Sequence, residues 1–383
     1  MSEVFEFADE RTDKAIIKVI GVGGGGSNTV NQMVEAGIQG VDFICANTDA
    51  QHLESCKADI LVQLGANITR GLGAGADPEG GRRAAEEDRE RIRESIEGAD
   101  MLFITCGMGG GTGTGGAPVV AEVARELDIL TLAVVTKPFP FERGKRMEVA
   151  NQGIEQLQDF VDSLIVIPNE KLLTVLGKGT SLRNAFKAAN NVLHNAVQGI
   201  SDLITRPGLI NVDFADVRKV MSVQGMAMMG RATAIGDDRA REAAEAALAS
   251  PLLDDLNLHG AEGLLVNVTG DQNLSIHEFQ LVNEVVMELT SENAEVIVGT
   301  AVDDSMGDEL CVTVVATGLG KQAQLAGRDN MRKIQRDSGG QVRYQELDTP
   351  TIIRQAPRQP YHENAAVDID YLDVPAFLRN QAD

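Results

Sequence analysis

Seventeen of the 40 glycines in this 383-residue chain are crowded into three short stretches, Gly21 to Gly26, Gly71 to Gly81 and Gly107 to Gly116. The first follows the β-branched apolar run Ile16-Ile-Lys-Val-Ile-Gly-Val22 and precedes a helical pattern over Asn28 to Ala36. The last follows Met101-Leu-Phe-Ile-Thr-Cys106 and precedes a helical pattern from Pro118 to Leu127. Strand, glycine loop, helix is the opening of a βαβ unit, and a chain that does this twice is restricted to a layered α/β fold. Further apolar runs at Val41 to Ala46, Ile60 to Leu64, Ile129 to Thr136 and Leu164 to Ile167 supply the remaining strands. Helical patterns between most of them, including Pro78 to Ile96, predict a parallel sheet covered on both faces.

The pattern then changes. Residues Thr180 to Ile204 read as one long amphipathic helix, with Leu182, Phe186, Ala189, Leu193, Val197 and Ile200 three or four apart, stopped by Arg206-Pro207-Gly208. A short helix over Ala215 to Val223 follows, then a helix from Asp238 to Ala249, strand Gly263 to Val268, helix Ser275 to Leu289, and strands Glu295 to Thr300 and Glu309 to Thr317. We read a flexible arm over 1–14, a Rossmann-like parallel-sheet domain over 15–180, a connecting helix over 181–205 and a smaller C-terminal α/β domain over 206–320. Apolar periodicity stops after Gly320, and the stretch to Ala366 carries eight basic residues against five acidic ones. It reads as a disordered linker, 321–366. Apolar content returns in 367–383, where Tyr371, Leu372, Pro375, Phe377 and Leu378 form a short docking peptide on that tether.

Charge and composition exclude several roles. A formal charge of −23, 4% aromatic residues and no Trp oppose nucleic-acid binding by backbone neutralisation or base stacking. No apolar run reaches the ~18 residues of a membrane span and the N-terminus is too polar for a signal peptide, so a cytoplasmic protein without direct membrane insertion is expected. Cys45, Cys56, Cys106 and Cys311 show neither CxxC nor zinc spacing, and no metal site is expected from them.

The glycine loops carry the chemistry. Glycine lets backbone N–H groups approach anionic oxygens, and the helix that follows adds its dipole. Gly21 to Gly26 formally satisfies GxGxxG, with Asp49 near the position of a ribose-binding acid, so a nicotinamide-dependent oxidoreductase is one reading. The second cluster, with the hydroxyls of Thr112 and Thr114, and the third loop ending at Gly75 suit a triphosphate better than one pyrophosphate. GxxxxGK[ST] is absent, which excludes a P-loop.

Together, Gly109-Gly-Gly-Thr-Gly-Thr-Gly115, Gly23 to Asn28, Asn47-Thr-Asp49, Gly208 to Asp216 and the tail Asp370 to Leu378 resemble the tubulin/FtsZ superfamily, in its bacterial cell-division branch. The resemblance implies a GTPase that polymerises head to tail and forms the ring at the mid-cell division site. It implies GTP or GDP, with Mg²⁺ accompanying the phosphates, held by residues matching Gly24, Gly25, Gly26, Ser27, Asn28, Asn47, Gly75, Gly110, Gly111, Thr112, Gly113 and Thr114. Glu142 and Arg146 match ribose and phosphate contacts, and Asn169, Phe186 and Asn190 match the base pocket. Asn211, Asp213 and Asp216 match a loop that the next subunit inserts in trans. The tail is implied to bind membrane-tethering and regulatory division proteins. For Asp213 and Asp216 the local sequence supports two roles, orienting a water for attack on phosphorus or capping the helix that follows, by Asn211 or Asp213. The pair Asn190-Asn191 departs from the superfamily, whose members usually carry one acid here. An amide offers the guanine edge one acceptor where a carboxylate offers two.

Overall fold

The computed structural model describes residues 15–319 apart from 143, 178, 207, 211, 224, 254–259, 289 and 291–293. The expected arm 1–14, the linker 321–366, the docking residues Tyr371, Leu372, Pro375, Phe377 and Leu378, and Asn211 lie outside the described residues. So does Arg143.

The apolar runs become parallel strands β1 (Ile17–Val22), β2 (Val41–Asn47), β3 (Ile60–Gln63), β4 (Met101–Gly107), β5 (Leu130–Lys137) and β6 (Ser163–Pro168). Their spatial order is β3-β2-β1-β4-β5-β6, with β1 paired in parallel to β2 on one side and β4 on the other. Chain order reverses between β1 and β4. In such sheets the crevice beyond the carboxyl ends at that reversal is where a ligand is received. Both long glycine loops leave from there, since β1 ends at Val22 and β4 at Gly107.

The helices differ from the sequence reading at their starts. Helix α1 runs Gly23–Glu35, so it begins inside the glycine cluster rather than after it. The long pattern over Pro78 to Ile96 is two helices, α4 (Pro78–Glu87) and α5 (Arg89–Ile96), broken at Asp88. Between β2 and α4 come two short helices, α2 (Ala50–Glu54) and α3 (Ala66–Thr69). Helix α6 covers Thr112–Glu126 with Pro118 inside it, so its first turn is again made of glycine and threonine. Helices α7 (Gly144–Gln158) and α8 (Asn169–Leu176) flank β6.

The connecting helix is α9 (Leu182–Thr205), and its buried stripe of Ala185, Ala189, Leu193, Val197 and Ile200 joins a core that contains Leu132 of β5 and also Leu265 and Val315 further along. After α10 (Phe214–Met221) comes an element that sequence patterning misses, strand β7 (Gly225–Ile235). Its sequence, GMAMMGRATAI, is rich in Gly, Ala and Met, none of which marks a strand. It nonetheless pairs in parallel with β6 at Ser163 to Ile165 and antiparallel with β10 (Glu309–Leu319). Strands β8 (Gly263–Gly270) and β9 (Glu295–Val302) complete a ten-stranded sheet in the order β3-β2-β1-β4-β5-β6-β7-β10-β8-β9. Helices α11 (Arg239–Leu248) and α12 (Ile276–Glu288) bury their apolar faces on this second half. The described residues contain no helix long and apolar enough to cross a membrane.

Candidate functional site

A cavity of about 420 Å³ opens at the reversal point. Its floor is the first turn of α1, from which Gly24, Gly25 and Asn28 face it, and the opposing loop and first turn of α6, which contribute Gly110, Gly111, Thr112 and Gly113. The two turns touch. Gly23 has φ +70°, and a Cβ there would stand 2.9 Å from the Gly113 nitrogen, so only glycine lets these N-termini converge. The hydroxyls of Thr48 and Thr112, both buried, pair at 2.6 Å and tie the end of β2 to α6.

The far end is built by side chains. Glu142 and Arg146 form an ion pair at 2.7 Å, and Glu142 also accepts from the Phe139 N–H at 2.9 Å. Arg146 donates through Nε to the Gly109 carbonyl at 3.3 Å, linking α7 to the second glycine loop. Phe186, 42% exposed, stands edge-on to Phe139 with ring centroids 5.2 Å apart, which leaves a face open to a planar group. Asn169 is buried, lines the cavity, and its Oδ1 has no partner among the described residues. An orphaned buried acceptor is costly unless a ligand donates to it. Asn190 lines the cavity and accepts from the Thr29 hydroxyl at 3.3 Å. Its neighbour Asn191 instead accepts from the Gln32 side chain and does not line this cavity.

Other expected residues serve the site from behind. A Cβ at Gly26 would fall 2.3 Å from the Thr105 carbonyl, so this glycine allows α1 to lie on β4 rather than facing the cavity. Ser27 is fully buried and likewise absent from the lining. Thr114 accepts the Gly109 N–H at 2.9 Å and shapes the loop. Asn47 bonds to the ring of His52 at 3.1 Å. Gly75, with φ +61°, lies in the third loop outside the cavity wall.

Sequence reasoning overlooked Lys137 and His52. Lys137 ends β5 and brings a cation to the wall. The end of a strand on the ligand side was the available signal. His52 lies behind the wall, and nothing local marked it.

Asp213 and Asp216 stand apart from the cavity, both exposed at the start of α10. Asp213 occupies the N-cap position, but its side chain makes no cap hydrogen bond, so capping does not account for the carboxylate. The preceding loop is pinned to β9, where the Ile210 N–H donates to the Thr300 hydroxyl at 2.9 Å and the Thr300 N–H to the Ile210 carbonyl at 3.2 Å. Arg206 bridges Asp202 at 2.9 Å and Asp303 at 2.7 Å at the loop's start. Burial pushes the Asp202 carboxyl above the usual range despite that guanidinium.

The oxidoreductase reading finds no support. Asp49, its ribose acid, is engaged in capping α2, accepting the His52 N–H at 3.0 Å. Residues 16–177 match the model of the Tubulin/FtsZ family GTPase domain, and residues 225–320 that of the FtsZ family C-terminal domain. The chain is 58% identical to the cell division protein FtsZ of Coxiella burnetii, over 98% of this chain and 99% of that protein. It is 55% identical to that of Pseudomonas aeruginosa, over 99% and 100%. Among solved structures, an FtsZ dimer from M. jannaschii aligns with TM-score 0.78 at 45% identity, covering 82% of this chain and 90% of that one.

Proposed function

Since the chain belongs to the tubulin/FtsZ family and carries its GTPase domain, we propose that its active site is completed only when two copies stack head to tail. One copy holds GTP in the cavity between α1 and α6. The next supplies Asp213 and Asp216, with Asn211, against the terminal phosphate.

The observation that carries this reading is the separation of the two halves of the chemistry. The phosphate-binding features converge on the cavity, while the two carboxylates are exposed on another element, where Asp213 makes no cap hydrogen bond. Backbone N–H groups at two helix N-termini neutralise phosphate oxygens, and Lys137 adds positive charge at the wall, where Arg146 is paired with Glu142. The stacked copy's carboxylates then orient a water in line with the terminal phosphorus and accept its proton as the bond to the leaving oxygen breaks. Phosphoryl transfer needs positioning and charge stabilisation more than covalent help, which a site assembled from two rigid bodies provides.

For Mg²⁺ the described residues contain no group of three or more His, Cys, Asp or Glu able to hold a metal ion. The protein acts in the cytoplasm at the division site, assembling with itself, and its C-terminal segment contacts membrane-tethering and regulatory division proteins.

Asp216→Ala tests the reading. Turnover should vanish while GTP and GDP bind within a few-fold of wild type. Wild-type phosphate release should rise more steeply than linearly with protein concentration. Lost nucleotide binding in the variant, or full activity in an assembly-incapable subunit, would refute it.

A further inference from the structure

The ring of His52 lies between α1, whose first turn floors the cavity, and the end of β2. Its Nε2 is 3.1 Å from Oδ1 of Asn28 on α1, and its Nδ1 is 3.1 Å from Nδ2 of Asn47 at the end of β2. The tautomer follows from the network. Asn47 Oδ1 accepts the Asp49 N–H at 3.3 Å, so its amide cannot turn over without setting donor against donor. Asn47 therefore presents N–H to Nδ1, which must be the bare nitrogen, and the ring proton sits on Nε2 and is donated to Asn28. The ring also flanks the opening turn of α1, since a Cβ at Gly24 would stand 3.5 Å from its Cε1 and Nδ1.

The segment that carries His52 is itself anchored to the other loops. The Thr48 hydroxyl pairs with Thr112 of α6, and the Thr48 carbonyl accepts from the Thr69 hydroxyl at 3.2 Å and the Gly73 N–H at 3.3 Å. Backbone and hydroxyl contacts thus join this connection to the second and third glycine loops. His52 is the side chain that reaches from it to the first.

We propose that His52 is a positioning residue for nucleotide binding. It occupies the acceptor end of Asn28, so that the Asn28 Nδ2 donor is the end turned to the ligand, and it holds the first turn of α1 in register with α6. A donor aimed into the cavity suits an anionic phosphate oxygen. The inference rests on the cavity being the nucleotide site.

The test uses the full chain below its assembly concentration and measures equilibrium binding of GTP and GDP. His52→Ala removes both ring contacts, while His52→Gln keeps one acceptor and one donor. His52→Ala should weaken both nucleotides about fivefold, the equivalent of one net hydrogen bond. His52→Gln should stay within twofold of wild type. Turnover at saturating GTP, measured in assembling protein, should be unchanged by either. In an Asn28→Ala background, His52→Ala should cost nothing further, because the partner it acts through is gone. Should the alanine variant unfold, His52→Leu fills the space without polar contacts and takes its place. Wild-type affinity in His52→Ala, a loss that adds to that of Asn28→Ala, or failure of glutamine to rescue would overturn the proposal. Wild-type protein that binds neither nucleotide would instead remove the site assignment beneath it.

Discussion

Gly208→Ala puts the proposed division of labour between cavity and loop under direct strain. A Cβ at this position would fall 1.7 Å from the Thr300 carbonyl oxygen and 2.7 Å from its carbon. Ordinary contact needs roughly 3.5 Å, so the loop must withdraw from β9 by somewhat more than about 1.5 Å. The withdrawal breaks both bonds between Ile210 and Thr300, at 2.9 and 3.2 Å, and costs about 1 to 3 kcal/mol of stability. Asp213 lies three residues beyond Ile210 and moves with it. A misplacement of about 1 Å costs on the order of 100-fold in rate when catalysis depends on positioning. Turnover per subunit should therefore fall at least about 100-fold, while GTP and GDP bind within twofold of wild type, because no wall of the cavity is touched. Steady-state phosphate release, equilibrium nucleotide binding and denaturant unfolding read the three quantities separately. Thr300→Val keeps the shape and removes only the hydroxyl acceptor, so it should cost about 1 kcal/mol and less than about tenfold in rate. Wild-type turnover in Gly208→Ala would show that loop position does not limit the chemistry. An equal loss of nucleotide affinity would show that loop and cavity are not separate devices.

Two further outcomes follow from buried and capped groups. Burial pushes the thiols of Cys45 and Cys106 up to about 12, so iodoacetamide at neutral pH should leave both unmodified in the native chain and label them on unfolding, with half-buried Cys56 reacting first by mass spectrometry. At the start of α12, Ser275 and Glu278 form a reciprocal capping box, and Arg239 donates to the same carboxylate at 2.6 Å. Burial raises the Glu278 carboxyl, but Arg239 and Ser275 together hold it below its ordinary 4.5. A depressed folded-state value stabilises above the unfolded value and is lost as pH falls through the folded one. Glu278→Gln should cost about 1 to 2 kcal/mol near neutrality, and denaturant unfolding should show the gap to wild type closing as pH is lowered from 5 towards 3. A gap that widens on acidification would refute the assignment.

Much of the nucleotide half could be read from neighbouring residues alone. Hydrophobic period placed β1, β4 and α9, and the glycine loops marked where two helix N-termini face the cavity. These signals are local, because side-chain alternation and backbone freedom belong to a few consecutive residues. What neighbouring residues do not encode is which distant segments meet. Strand β7 is rich in Gly, Ala and Met, and it becomes a strand because β6 and β10 offer it edges to pair with. Gly26 belongs to a glycine loop by sequence, yet its packing against Thr105 is what its small size serves. His52 is 24 residues from Asn28 and carries no motif, so its bridge exists only once β2 and α1 lie side by side. Periodicity names the elements. Long-range pairing, whose energy depends on the whole sheet being formed, chooses which side chains face one another.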